Sequence, residues 1–456
     1  MSIVANVPGL DALIQDNTLR RVYNDAVWPR QMFRMEALKE LWVANQGDTL
    51  VETRGSLLPT ITRPLTAGQD PIPVNEAFEQ WVVTANQYSN TIDTQMPGSW
   101  AALASKFSRD AHTLGLNAGD SLNILVRNKL FTPYLAGTTH TDNAATSTSV
   151  QVGSISGFTQ VISSDGEVKT TSTAFPKSIT VGGTSAVCIG AAPNDANFPL
   201  GAGVLTLAAS ITFAAGDVVL AADRTGQIYS GGGLSTDALS GTDILTLKDI
   251  RDAISSLHNN SIPPHADGTY HAHISPTAVS QLYGDNEFQR LNQSNYGDAP
   301  YSDYVIGKLI QTLHYRDEQV PGVENSGALQ TNRPSDAALS RLGVDISADV
   351  TNKAGVNVIR TIITGGGAIY EKHIDEFSFL TDAGVTGKVG GFSVSTGGVQ
   401  VDVDGIRFTI RSPLDRLQQI VTQTWSWSGD WGIPSDINGG KTAARYKRAV
   451  VINSGS

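Results

Sequence analysis

From Trp100 to Phe131, apolar or small side chains return every three or four residues, at Trp100, Leu103, Phe107, Ala111, Leu114, Ala118, Leu122, Leu125 and Leu130. That spacing is one face of an α-helix, and Ser99 after Pro97-Gly98 stands where a cap belongs. At 1.5 Å per residue the segment is a rod of roughly 50 Å, well beyond the usual three turns. Such a rod is a structural spine. Gly115 and Gly119 interrupt it, each costing about 1 kcal/mol relative to Ala, and are expected to bend it.

The segments on either side have different patterns. Residues 1–46 form an arm with helical potential that carries Leu38, Leu41 and Trp42 after a basic and aromatic stretch, Val27-Trp28-Pro29-Arg30-Gln31-Met32-Phe33-Arg34. In 47–94 two strand-like flanks, 49–54 and 81–88, enclose Pro59, Pro64, Pro71 and Pro73. Proline cannot donate to a sheet ladder, so the middle reads as a projecting loop and the flanks as its paired legs. Residues 138–238 are rich in Thr, Ser, Gly and Ala, with short β-prone segments at 150–152, 157–162, 178–181, 204–207 and 218–220. They read as an inserted all-β domain, a small barrel or sandwich, with Gly137 and Gly231-Gly232-Gly233 as adjacent ends. A helix capped at Thr242-Asp243 follows, with Ile244, Leu247, Ile250, Ile254 and Leu257 on one face. Next come a strand at 270–274, a Ser275-Pro276 helix start, a strand pair in 304–314, and strands at 356–364, 405–411 and 417–427.

Hydrophobic residues make up 40% of the 456-residue chain and charged residues 16%, against about 25% charged in an ordinary soluble domain. A chain this poor in charge is expected to seal much of its surface against copies of itself. The net charge of −11 argues against a surface built to neutralise phosphates. Cys188 is the single cysteine, so no intrachain disulfide is possible, and its apolar neighbourhood reads as a strand holding a buried, inert thiol. No signal peptide is visible, and the most apolar stretch, 204–222, reads as two strands and a turn rather than a membrane span.

Catalytic patterns fail one after another. The phosphate-loop lookalike at 435–442 has Ser435 where the first glycine belongs. Gly365-Gly366-Gly367 lacks dinucleotide-loop spacing and reads as a turn. His265, His271 and His273 have no identifiable further ligand, and Asp285, Asn286 and Glu287 lack calcium-loop spacing. No cofactor, metal or catalytic residue is assigned, and the expected role is structural rather than enzymatic.

The order of elements resembles the major capsid proteins of tailed bacteriophages. The segment Asp303-Tyr304-Val305-Ile306-Gly307-Lys308-Leu309 leading to Glu318-Gln319-Val320-Pro321-Gly322 is similar to a stretch of one podophage-type branch of that family, as are 270–276 and 407–427. The resemblance implies an α+β, Hong Kong 97-like capsid fold. Its parts would be an N-terminal arm at 1–46, an extended loop at 47–94 and the spine helix of a peripheral domain at 95–137. The inserted β domain at 138–238, a mostly axial domain at 239–364, and returning strands with the C-terminal tail at 365–456 would complete it. It further implies hexamers and pentamers closing into an icosahedral virion shell around double-stranded DNA, assembled in the host cytoplasm without a membrane. The implied partners are further copies of the chain, a separate scaffolding protein, a portal and a decoration protein. The alternative is an encapsulin-like shell packaging an enzyme. Candidate assembly residues are Arg54, Pro59, Arg63, Pro64, Pro71 and Pro73. The basic run Lys441, Arg445, Lys447 and Arg448 is either a solvated tail or a contact for scaffold or DNA. Some relatives cross-link through a lysine in the extended loop, but 47–94 has none.

Overall fold

A computed structural model describes residues 18–42, 47–55, 61–62, 64–66, 68, 70–71, 73, 78–95, 106–162, 168–196, 201–293, 305–309, 312–316, 356–374, 386–389, 392–395, 398–411, 419–434 and 447–455. The chain divides into two units, 1–52 with 82–127 and 369–432, and 53–81 with 128–368 and 433–456.

The first unit is built on an eight-stranded sheet. Its path runs β1 (Leu38–Leu41), β18 (Tyr370–His373), β23 (Ile420–Gly432), β22 (Ile406–Arg411), β21 (Gly398–Val403), β20 (Phe392–Ser395) and β19 (Thr386–Val389). β4 (Asn86–Gln95) pairs with Ile420 to Gly429 of β23, and β18 pairs with Gly429 to Gly432 of the same strand. β23 is long enough to serve both. The turn between β21 and β22 is Asp404-Gly405, with φ of 55° and 77° closing Val403 against Ile406. Two positive φ values in a two-residue hairpin favour this dipeptide.

Helices α1 (Thr18–Val27) and α2 (Lys106–Leu135) supply the apolar layer. Tyr23 stacks on Phe408 at 4.0 Å and bonds Gln423, while Asn117 accepts from the Trp425 indole at 3.0 Å. The two glycines of α2 earn their place by proximity. A Cβ on Gly115 would lie 2.8 Å from Ala26 Cβ, and one on Gly119 would lie 2.9 Å from the Val27 carbonyl. At both positions the missing Cβ lets α1 approach α2 closely. Residues 96–105, with the proposed Ser99 cap, lie outside the described residues. The helical reading of the arm holds for α1 but not for 38–41, where parallel pairing with β18 overrides the local pattern.

β2 (Thr49–Gly55) and β3 (Phe78–Thr84) form a separate two-stranded ribbon. Ala85 donates to the Asp48 carbonyl at 2.8 Å. Counting inward from that bond sets Val51 opposite Val82, in register with both strand ends.

Among its described residues, the second unit contains two six-stranded sheets. The first, with order β5 (Thr138–His140), β12 (Val218–Ala221), β9 (Lys177–Val181), β10 (Thr184–Pro193), β11 (Gly203–Phe213), β6 (Ala145–Val152), closes on itself through the Thr141–Val152 bridge. Val150, Ile155, Phe158, Ile179, Cys188 and Leu205 are among its buried core. β7 (Gln160–Ile162) and β8 (Val168–Thr170) make a small ribbon beside it in sequence. The Ala221 amide bonds the Gly137 carbonyl at 2.8 Å, so this sheet begins and ends at one point. The glycine run 231–233 is therefore not its exit. β13 (Gln227–Tyr229) already pairs with the C-terminal strand.

The other sheet has order β13, β24 (Ala449–Gly455), β17 (Val358–Thr364), β14 (Tyr270–Ile274), β16 (Thr312–Arg316), β15 (Val305–Leu309). Helix α3 (Leu247–Asn259) buries Leu247, Ile250, Ile254 and Leu257 in a core shared with β14, β17 and β24. Its cap is Thr246, in a reciprocal capping box with Asp249, rather than Thr242. Helix α4 (Pro276–Gly284) starts where expected, with the Ser275 hydroxyl accepting from the Ala278 amide. Asp285 then serves two helices at once. Its carboxylate accepts from the Leu247 amide of α3 and from the Glu287 amide of α5 (Asn286–Gln293).

Candidate functional site

Two groups of side chains on the first unit hold projecting segments to its sheet. On the helix-bearing face, the buried Arg34 guanidinium reaches Glu371 through Nε at 2.8 Å and Nη2 at 2.6 Å. It also donates to the Asp404 carbonyl at 2.8 Å, and Lys39 closes on the Asp404 carboxylate at 2.5 Å. The Trp431 indole donates to the same Glu371 at 3.1 Å. Burial alone would lower the Arg34 pKa, but Glu371 and the acidic hairpin turn outweigh it and raise the value. The arm is thereby clasped to β18 and to the β21–β22 turn.

On the opposite face, Lys372 of β18 bridges Glu40 of β1 and Glu52 of β2, the latter at 2.9 Å. Burial works to lower its ammonium pKa, and the two carboxylates raise it beyond that. Asp430, the cross-strand neighbour of Lys372, accepts from the Thr84 amide of β3 at 3.2 Å.

The ribbon presents two different faces. Val83 is fully buried, while the opposed Val51 and Val82 are 59% and 58% exposed. Beyond the strands, Ile61 and Leu65 are 87% and 63% exposed. A two-stranded ribbon is marginal in water on its own, and an uncovered β-branched face is a surface for another chain. Leu38 and Leu41 add apolar surface on the edge strand β1.

No family model matches the chain, and no curated protein matches it. Among solved structures it is similar to the capsid of Ralstonia phage GP4, at 13% identity and TM-score 0.46, over 92% of this chain and 87% of that one. It is likewise similar to the cyanophage Pam1 capsid, at 10% identity and TM-score 0.48, over 90% and 86%. The head of Helicobacter pylori bacteriophage KHP40 matches at 9% identity and TM-score 0.45, over 91% and 86%. With TM-scores below 0.5, the functional reading rests on the chain's own elements.

Of the residues singled out by sequence, Pro64, Pro71 and Pro73 are exposed and Arg54 lies in β2. Pro59, Arg63, Lys441 and Arg445, with segments 318–322 and 435–442, lie outside the described residues. Lys447 corrects the reading of the basic run as a tail. It is buried, donates to the Thr225 and Pro133 carbonyls at 2.9 and 3.3 Å, and lies 5.9 Å from the Tyr134 ring centroid. Arg448 donates to the Gly366 carbonyl at 2.5 Å. Both precede β24, which is buried along its whole length. The run Ala449-Val450-Val451-Ile452 was the available signal for that strand.

His265 and His271 stack at 4.0 Å, with His265 bonded to Thr364 and His271 to Asp267. Burial pushes the Asp267 carboxyl up, but Thr269 and His271 outweigh it and hold the pKa at about 2. Cys188 is buried, and burial raises its thiol pKa. Sequence reasoning missed Arg34, Glu371, Asp404, Lys372 and Asp430, because they meet across separations of more than 300 residues in sequence. No helix among the described residues is long and apolar enough to cross a membrane.

Proposed function

We propose that this chain is a major capsid protein of the tailed-phage type. Copies associate as hexamers and pentamers into an icosahedral shell around double-stranded DNA, assembled in the host cytoplasm with a scaffolding protein, a portal and a decoration protein. The supporting observation is the ribbon: it leaves the sheet with one β-branched face uncovered and an exposed apolar tip beyond. In this reading 47–94 is the extended loop laid on a neighbouring copy, with Arg54, Pro64, Pro71 and Pro73 at or near the contact. Lys441 and Arg445 remain the residues offered to scaffold or DNA, and Lys447 is withdrawn to an internal role.

Electron microscopy of the purified protein, with scaffold supplied, tests the reading. Closed shells holding nuclease-protected DNA in infected cells are expected, and deletion of 56–73 is expected to leave a soluble subunit without normal shells. Normal particles from that deletion would remove the ribbon from assembly. Small shells filled with a cargo enzyme would favour the compartment alternative.

A further inference from the structure

The root of the ribbon is gripped at both legs from one face of the sheet. Lys372 and Asp430 stand opposite each other on β18 and β23, so their side chains share a face. Lys372 holds the first leg through Glu52 at 2.9 Å, and Asp430 holds the second through the Thr84 amide at 3.2 Å. The Ala85–Asp48 bond ties the two legs together just below these contacts.

We infer that Lys372 and Asp430 form a lock at the ribbon root, fixing the direction in which β2 and β3 leave the sheet. The second leg continues through Ala85 into β4, which is paired with β23, and Asp430 reinforces it there. Lys372 supplies the side-chain attachment of the first leg, so that the ribbon is held on both sides. The grips also differ in kind. Asp430 is buried and binds backbone, so its contact persists in salt, whereas Lys372 and Glu52 are partly exposed and their attraction is screened. Releasing Lys372 therefore loosens one leg first and lets the ribbon pivot on the other. Glu40, the second carboxylate on Lys372, belongs to β1 and ties the sheet edge rather than the ribbon. The lock is a property of the single chain and does not depend on the shell-forming role.

Hydrogen exchange followed by mass spectrometry on the intact chain tests this. Glu52→Gln and Asp430→Asn are each expected to speed exchange in 49–55 and 78–84 by about three- to ten-fold. Peptides from 406–411 should keep wild-type rates, and Glu40→Gln should leave the ribbon unchanged. Raising salt should speed the wild-type ribbon and add nothing in Glu52→Gln. Should Asp430→Asn not fold, Glu52→Gln decides alone, since it alters a partly exposed group. Wild-type ribbon rates in Glu52→Gln, an equal rise across the whole sheet, or an equal rise in Glu40→Gln would each overturn the lock.

Discussion

The Arg34 guanidinium of the first unit is fully buried and satisfies Glu371 and the Asp404 carbonyl together. Removing it leaves a carboxylate buried without its cation, a change that costs about 3–5 kcal/mol. Arg34→Ala is expected to lose stability on that scale in urea titrations read by Trp425, Trp427 and Trp431 fluorescence, and Arg34→Lys to recover only part of it. Gly119 makes the opposite kind of case. Alanine would gain about 1 kcal/mol of helix propensity, but its Cβ would press 2.9 Å from the Val27 carbonyl. Gly119→Ala should therefore lower stability by about 1–3 kcal/mol in the same titration, and an unchanged midpoint would show that α1 can back away. Asp267 contributes a pH dependence. Its folded pKa of about 2 lies below the ordinary carboxylate value of 3.8, so it stabilises the fold above about pH 4 and loses that contribution as pH falls through 2. The side chain is 42% exposed, so the effect is a modest, screened one. Asp267→Asn should remove that component of the acid-induced loss.

At the scale of elements, the closed sheet between Thr138 and Ala221 has its own core and meets its own start at the Gly137–Ala221 bond. Expressed alone, 138–222 should melt cooperatively with a β-type circular dichroism spectrum, and a random-coil spectrum would show that the rest of the chain orders it. β24 makes the complementary point. It is a central strand between β13 and β17, and Lys447 at its start fills carbonyls from two other segments. Lys447→Gln should cost about 1–3 kcal/mol of stability and be insensitive to salt. A salt-dependent change in partner binding with stability intact would restore it to a surface role.

For the whole molecule the governing numbers are 16% charged residues and a net charge of −11. Low charge density permits extensive contact between copies, yet like net charges still oppose each encounter. The initial rate of self-association is therefore expected to rise between about 0.05 and about 0.3 M salt as the screening length contracts. Light scattering after mixing measures it. A falling rate would mean that complementary local patches, rather than net repulsion, control the encounter.

The features readable in the sequence are those whose physics is local. The 3.6-residue period set the spine helix, Ser275-Pro276 set the start of α4, and proline clustering between β-prone flanks set the ribbon. Each depends on backbone preference or on periodic burial within a few turns of chain. The cap of α3 was misplaced at Thr242-Asp243, although Thr246 with Asp249 three residues on carries a local signal of the same kind. The tertiary structure alone decided what the glycines of α2 are for, why 38–41 is a strand, and which charges are internal. Arg34 beside Glu371, Lys372 beside Glu52, and Asp430 beneath Thr84 are joined by strands from opposite ends of the chain. Long-range pairing and desolvation choose such partners, and no spacing along one segment encodes them.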